Sequence, residues 1–132
     1  MIRLAILVAL LVPASATAKF VFFQTPSHNI GCAYSSAPAY LRCDIGSGLK
    51  PPPPKPKGCM NDWTFGYQVG ATGRAQRVCA GDTVFSPHAK VVRYGTTWRA
   101  GSFTCKSSSS GLRCKNRSGH GFFLSRQHSY RF

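Results

Sequence analysis

The stretch Cys32-Ala33-Tyr34-Ser35-Ser36, followed by Leu41-Arg42-Cys43 and Ser47-Gly48, has an echo later in the chain. There it reads Cys105-Lys106-Ser107-Ser108-Ser109, then Leu112-Arg113-Cys114, then Ser118-Gly119. Both copies follow Cys-x-x-Ser-Ser, then Leu-Arg-Cys-x-x-x-Ser-Gly, and they differ by two residues between the cysteines. Short β-prone runs around a polar tip of Ser with Pro38 or Gly111 predict a β-hairpin in each copy. A cystine across each base pairs Cys32 with Cys43 and Cys105 with Cys114, which leaves Cys59 for Cys79. Cross-pairing between the two hairpins is the alternative, since several connectivities satisfy the same cysteines.

Outward from the hairpins the chain continues to read as strands. Phe20-Val21-Phe22-Phe23 fits a pleated, half-buried surface. Strict alternation puts Trp63, Phe65, Tyr67 and Val69 on one face. Thr83-Val84-Phe85, Val91-Val92-Arg93-Tyr94, Trp98, Phe103 and Phe122-Phe123-Leu124 extend the pattern, and Gly81-Asp82, Gly95, Gly101 and Gly119-His120-Gly121 mark turns between them. No mature segment sustains a helical apolar period. The expected fold class is all-β: a small disulfide-stapled antiparallel sheet, sandwich or barrel-like. The run Pro51-Pro52-Pro53-Pro54-Lys55-Pro56-Lys57 cannot supply ladder hydrogen bonds and reads as a stiff, extended surface connection.

The first eighteen residues read as an address. Arg3 gives a positive start, Leu4 to Val12 is apolar and ends at Pro13, and Ala16-Thr17-Ala18 resembles a cleavage site. The apolar run is too short to span a bilayer, which needs about 20 residues. The expected organisation is therefore a signal peptide over 1–18 and a single secreted, disulfide-bonded β domain over 19–132. The product would be secreted or periplasmic, with no transmembrane segment. All six cysteines lie in the mature part, an even number, and at least eight residues separate neighbouring ones. Oxidising export with no closely spaced Cys pair favours three disulfides over a metal centre. No metal and no cofactor is expected.

Composition limits the chemistry. A chain of 132 residues has room for one domain, and 17 Lys+Arg stand against three acidic residues, Asp44, Asp62 and Asp82, with no glutamate. That balance excludes a two-domain cofactor enzyme and disfavours a paired-carboxylate glycosidase. Loss of Arg3 with the leader leaves sixteen basic and three acidic residues. Such a surface attracts anionic polymers: nucleic acid, lipopolysaccharide, acidic polysaccharide or an anionic membrane. Cations concentrate in the C-terminal third, and Lys106, Arg113, Lys115, Arg117, Arg126 and Arg131 are the polyanion-binding candidates. Tyr130 and Phe132, flanking Arg131, add stacking or interfacial insertion.

Several segments together resemble a known group. These are Phe23-Gln24-Thr25-Pro26-Ser27-His28-Asn29-Ile30-Gly31-Cys32, Leu41-Arg42-Cys43-Asp44, Asp62-Trp63, Cys79-Ala80-Gly81-Asp82-Thr83 and Tyr94-Gly95. Phe103-x-Cys105, Gly111-Leu112-x-Cys114 and Gly119-His120-Gly121-Phe122-x-Leu124-Ser125-Arg126 complete the pattern. The order resembles that of short secreted bacterial proteins known only as a domain of unknown function. The chain departs from that pattern at His28 and Thr64, where the group tends to carry Gly. The resemblance implies one secreted disulfide-bonded domain and transfers no activity.

Two functional readings of different class remain, with a third beside them. The first is a non-catalytic module that associates with anionic polymers or the cell envelope. The second is a small acid–base hydrolase such as a ribonuclease, which needs two groups titrating near neutrality and a cation for the phosphate. His120, between two glycines, and His28 are the catalytic candidates for that reading only. The third is an inhibitor of another secreted enzyme, acting through the loop 33–42. No Gly-x-Ser-x-Gly elbow and no spare thiol offers a nucleophile, and Gly70-Ala71-Thr72-Gly73-Arg74 reads as a plain turn rather than an anion cradle.

Overall fold

The computed structural model describes residues 6–13 and 17–132. The positive start at Arg3 and the Ala16 end of the predicted cleavage site lie outside the described residues. Ile6 to Val12 is largely exposed, with Leu7 and Leu11 more than nine-tenths accessible, and joins no strand.

Eleven β-strands form two sheets, and there is no helix among the described residues. β1 (Phe20–Gln24), β2 (Ile30–Ser36), β3 (Ala39–Ile45), β4 (Gly66–Gly70), β5 (Gln76–Arg77) and β6 (Lys90–Val91) make the first sheet, in the order β5-β4-β3-β2-β1-β6. β7 (Thr97–Ala100), β8 (Phe103–Ser108), β9 (Gly111–Lys115), β10 (Gly121–Leu124) and β11 (Ser129–Arg131) make the second, in the order β11-β10-β9-β8-β7. Each sheet is a run of consecutive antiparallel neighbours, and only β6, returning beside β1, pairs parallel. Neither sheet closes on itself, so the architecture is sandwich-like and not a closed barrel.

The two echoing hairpins are β2–β3 and β8–β9, at the centres of the two sheets. Cys32 lies opposite Cys43, and Cys105 opposite Cys114. Both pairs are joined as disulfides with Cα–Cα distances of 4.1 Å, and both are fully buried on the inner faces. Aromatic rings interlock across the sheets. Phe23 stacks on Trp98 with centroids 4.3 Å apart, Tyr67 stacks on Phe122 at 5.7 Å, and Tyr34 meets Trp98 and Phe103 edge-on. Leu41, Ile45, Leu112 and Leu124 fill the space between. On the β4/β11 side, polar ties join the layers. Arg131 Nη1 donates to Ala75 O at 3.0 Å, Asn116 Nδ2 donates to Gly70 O and Gly73 O, and Ser129 N donates to Lys50 O.

Three expected strands come out differently. β4 begins at Gly66, because Asp62 Oδ1 accepts from Thr64 N and Oγ1 and folds 62–64 into a turn. Trp63 Nε1 reaches the proline-rich segment and donates to Pro53 O. Thr83-Val84-Phe85 forms no strand, and of the expected run 91–94 only Val91 does, together with Lys90 in β6. Residues 79–89 instead cross the outer face of the first sheet as a strap, pinned at one end by the Cys59–Cys79 disulfide.

The strap covers a charge cluster that sequence composition hides. Asp44 is wholly buried and accepts four hydrogen bonds: Arg42 Nε (3.0 Å) and Nη2 (2.9 Å), Thr83 Oγ1 (3.2 Å) and Val84 N (3.0 Å). Arg42 also donates to Asp82 Oδ1 and Asp82 O, each at 3.0 Å. Gly31 is required beneath the strap, since a Cβ there would lie 2.7 Å from the Phe85 ring. The Leu-Arg-Cys-Asp and Gly-Asp-Thr segments thus form one clasp between sheet and strap. Burial works against the Arg42 charge, but the bonds and charges of Asp44 and Asp82 outweigh it and raise its pKa. Hydrogen bonding to Arg42 holds the Asp82 carboxyl below its ordinary range.

Candidate functional site

The outer face of the second sheet is fixed by strand alternation. In β8, Phe103, Cys105 and Ser107 point to the core, so Thr104, Lys106 and Ser108 point out. In β9, Leu112 and Cys114 go in and Arg113 and Lys115 go out. The pairing registers align Thr97, Lys106, Arg113, Phe123 and Tyr130 in one row across all five strands. A second row carries Arg99, Thr104, Lys115 and Gly121, and Phe132 exchanges both backbone hydrogen bonds with Gly121 at its end. At about 4.8 Å per strand, each row spans about 19 Å.

The face divides into a cationic part and an aromatic part. Lys106, Arg113 and Lys115, with Thr104, line a hollow of about 110 Å³. Lys106 stands directly opposite Arg113, an arrangement of like charges that destabilises a sheet unless something neutralises it. None of the three aspartates forms an ion pair with them. Asp44 and Asp82 are engaged by Arg42, Asp62 is held by Thr64, and Arg42 makes the only ion pairs among the described residues. Phe132 supports the guanidinium of Arg113, whose Cζ lies 3.8 Å from the ring centroid. Beside it Phe123, His128 and Tyr130 form a cluster with all three centroid separations between 5.3 and 5.9 Å and interplanar angles of 10° to 30°.

The sequence candidates divide accordingly. Lys106, Arg113 and Lys115 share the hollow. Arg117 is exposed in the β9–β10 connection at one end of the sheet, and Arg126 sits at the opposite end, in the β10–β11 connection. Arg131 alternates with Tyr130 and so leaves this face, tying β11 to Ala75 of the other layer. Burial raises the Tyr67 phenol pKa beneath it, and Arg77 and Arg131 pull the value partly back. Arg99, Phe123 and His128 belong to the face and were absent from the sequence candidates. Alternation within Phe122-Phe123-Leu124 was the available signal for Phe123, but its partners depend on the β10–β11 register.

The two candidate histidines, His28 and His120, do not meet. His28 lies in the β1–β2 connection, at the same end of the sandwich as the β8–β9 and β10–β11 turns, and its Nδ1 is 2.8 Å from Gln24 Oε1. His120 lies in the β9–β10 connection at the other end, beside the 70–75 turn that Asn116 grips. A sandwich whose central strands run seven residues separates them by about 20 Å. One scissile bond cannot lie within hydrogen-bond reach of both. His28 adopts φ +60°, the left-handed region, at the position where the resembling group tends to carry Gly. The segment 33–42 is the central β2–β3 hairpin, with only its Ala37-Pro38 tip exposed. Among the described residues, no three His, Cys, Asp or Glu side chains gather as metal ligands, and no helix is long and apolar enough to cross a membrane.

Comparison with known proteins places the chain in one family. Residues 2–132 match a family of unknown function, DUF6636, and the chain belongs to that family. No curated protein and no solved structure matches it.

Proposed function

We propose that this member of a family of unknown function is an exported, non-catalytic module that associates with anionic polymers through the outer face of its second sheet. The observation that carries the reading is the trio Lys106, Arg113 and Lys115 around one hollow, paired with none of the three aspartates, with Phe132 bracing the central guanidinium. Like charges in opposed strand positions cost stability, and a bound phosphate, sulfate or carboxylate group removes that repulsion. The Phe123–His128–Tyr130 cluster adds flat apolar surface where the cations end, suited to a base or a sugar ring. Three disulfides and an apolar stretch, Ile6 to Val12, that is largely exposed support export to an oxidising compartment.

The test is binding to heparin and to DNA across a salt series. Neutralising three phosphates of duplex DNA gives a log–log slope of about −3, and replacing Lys106, Arg113 and Lys115 together by Ala removes most of it. Affinity that is insensitive to ionic strength, or a triple variant that binds like the wild type, would refute the reading. The separation of His28 from His120 gives the hydrolase alternative no shared site, and no loop geometry favours the inhibitor alternative.

A further inference from the structure

A second concavity, separate from the cationic face, opens where three connections meet at one end of the sandwich. These are the β1–β2 loop, the β8–β9 turn and the β10–β11 turn. Its volume is about 100 Å³, and it includes none of Lys106, Arg113 and Lys115. That is well below the roughly 300 Å³ at which pockets for drug-sized ligands begin, so it admits one small group and no ring system.

Its lining is rich in hydrogen-bond donors and contains no acid. Ser27, Ser109, Ser110, Tyr94 and Gln127 contribute hydroxyls and an amide, and Arg126 supplies the only charge. Neither ion pair among the described residues involves Arg126. Within the described residues, the side chains of Ser109, Tyr94, Arg126 and Gln127 make no hydrogen bond to the protein. The backbone that presents them is held. Ser125 Oγ donates to His128 O (2.8 Å) and accepts from His128 N (3.1 Å), closing the turn that carries Arg126 and Gln127 at its tip. Ser108 Oγ donates to Gly111 O at 3.1 Å and closes the facing turn. On the third side, Ser27 Oγ accepts from Asn29 N at 3.2 Å and shares a hydrogen bond with Thr25 Oγ1 at 3.2 Å, in which either hydroxyl can donate. Polar side chains from three turns thus line one pocket together with one guanidinium, a set that suits an acceptor with oxygens in several directions.

We infer that this pocket binds a single tetrahedral oxyanion, a phosphate or sulfate group, with Arg126 as its charge partner and Ser27, Ser109, Tyr94 and Gln127 as donors. The site stands apart from the polyanion face and does not depend on it.

The experiment is an NMR titration of the oxidised protein with inorganic phosphate and, separately, with sulfate, chloride holding the ionic strength constant. Saturable shifts are expected at the amides of Ser27, Ser109, Ser110, Arg126 and Gln127. Arg126→Ala is expected to weaken binding roughly tenfold, the loss of one charge-assisted hydrogen bond. The double variant Arg113→Ala/Lys115→Ala should leave it unchanged, so failure of the polyanion reading and failure of this one are distinguishable. Tighter binding of phosphate assigns the site to phosphomonoesters and tighter binding of sulfate to sulfate esters, and either supports it. Shifts that grow without saturating, shifts centred on Lys106 and Arg113, or an Arg126→Ala protein with wild-type affinity would overturn the inference.

Discussion

Replacing Asp44 by Ala tests the clasp that fastens the strap to the first sheet. The carboxylate is fully buried and accepts four hydrogen bonds, two of them from Arg42. Its removal leaves Arg42, a residue only 8% exposed, with Asp82 as its sole anionic partner. The amide of Val84 loses its acceptor at the same time. Breaking a buried pair by deleting one partner costs about 3–5 kcal/mol, a large share of a total stability of about 5–15 kcal/mol. For a domain of this size that corresponds to a fall in Tm of roughly 10–20 °C. The assay is thermal and urea unfolding with the disulfides intact, followed by far-UV and near-UV circular dichroism. A second variant, Arg42→Met/Asp44→Leu, separates the loss of the pair from the burial of a lone charge. It should recover most of the stability, since apolar replacement of a whole buried pair is often neutral. An Asp44→Ala protein that melts within about 3 °C of the wild type would refute the reasoning, because one kcal/mol is already worth about that much.

Two further outcomes follow from the core. Burial holds the Tyr67 phenol above its ordinary value of 10.0, so the native state favours the neutral ring. That contribution is complete below pH 10.0 and is lost as pH rises towards the native-state value, because the unfolded chain ionises first. Wild type should therefore lose urea stability relative to Tyr67→Phe above pH 10.0, and parallel decline of both proteins would count against it. Replacing Cys105 and Cys114 together by Ala opens the nine-residue span of the β8–β9 hairpin and should cost about 2–3 kcal/mol. Equal unfolding midpoints for oxidised wild type and this variant would show that hairpin pairing alone suffices.

Much of the fold was readable because its strongest signals are local. The Cys-x-x-Ser-Ser echo marks both hairpins, and a cystine across a hairpin base needs no knowledge of the other sheet. The strap was unreadable for the opposite reason. Thr83 and Val84 look like strand residues, yet their hydrogen bonds go to a side chain forty residues away rather than to a neighbouring backbone. The Asp62-Trp63-Thr64 turn likewise overrides an alternation that looked continuous through Trp63. Of the cationic cluster, Lys106, Arg113 and Lys115 were legible from their places in the second hairpin. Arg131 was drawn in by its position between Tyr130 and Phe132, although alternation sends its side chain to the opposite face. The distance between His28 and His120 depends on which connections share an end of the sandwich, a property of topology that spacing along the chain does not encode.

The chain completes one sheet before it starts the other, with residues 20–91 in the first and 97–131 in the second. No cystine crosses between them: 32–43 and 59–79 stay in the first half, and 105–114 stays in the second. The single covalent link is the short passage through exposed Arg93. A protease cutting there would produce two fragments that separate on a non-reducing gel, the first keeping two staples and the second one. Co-expressed as separate polypeptides, the halves would have to find one another through Phe23 on Trp98 and Tyr67 on Phe122, which makes this sandwich a natural candidate for a two-piece complementation reporter.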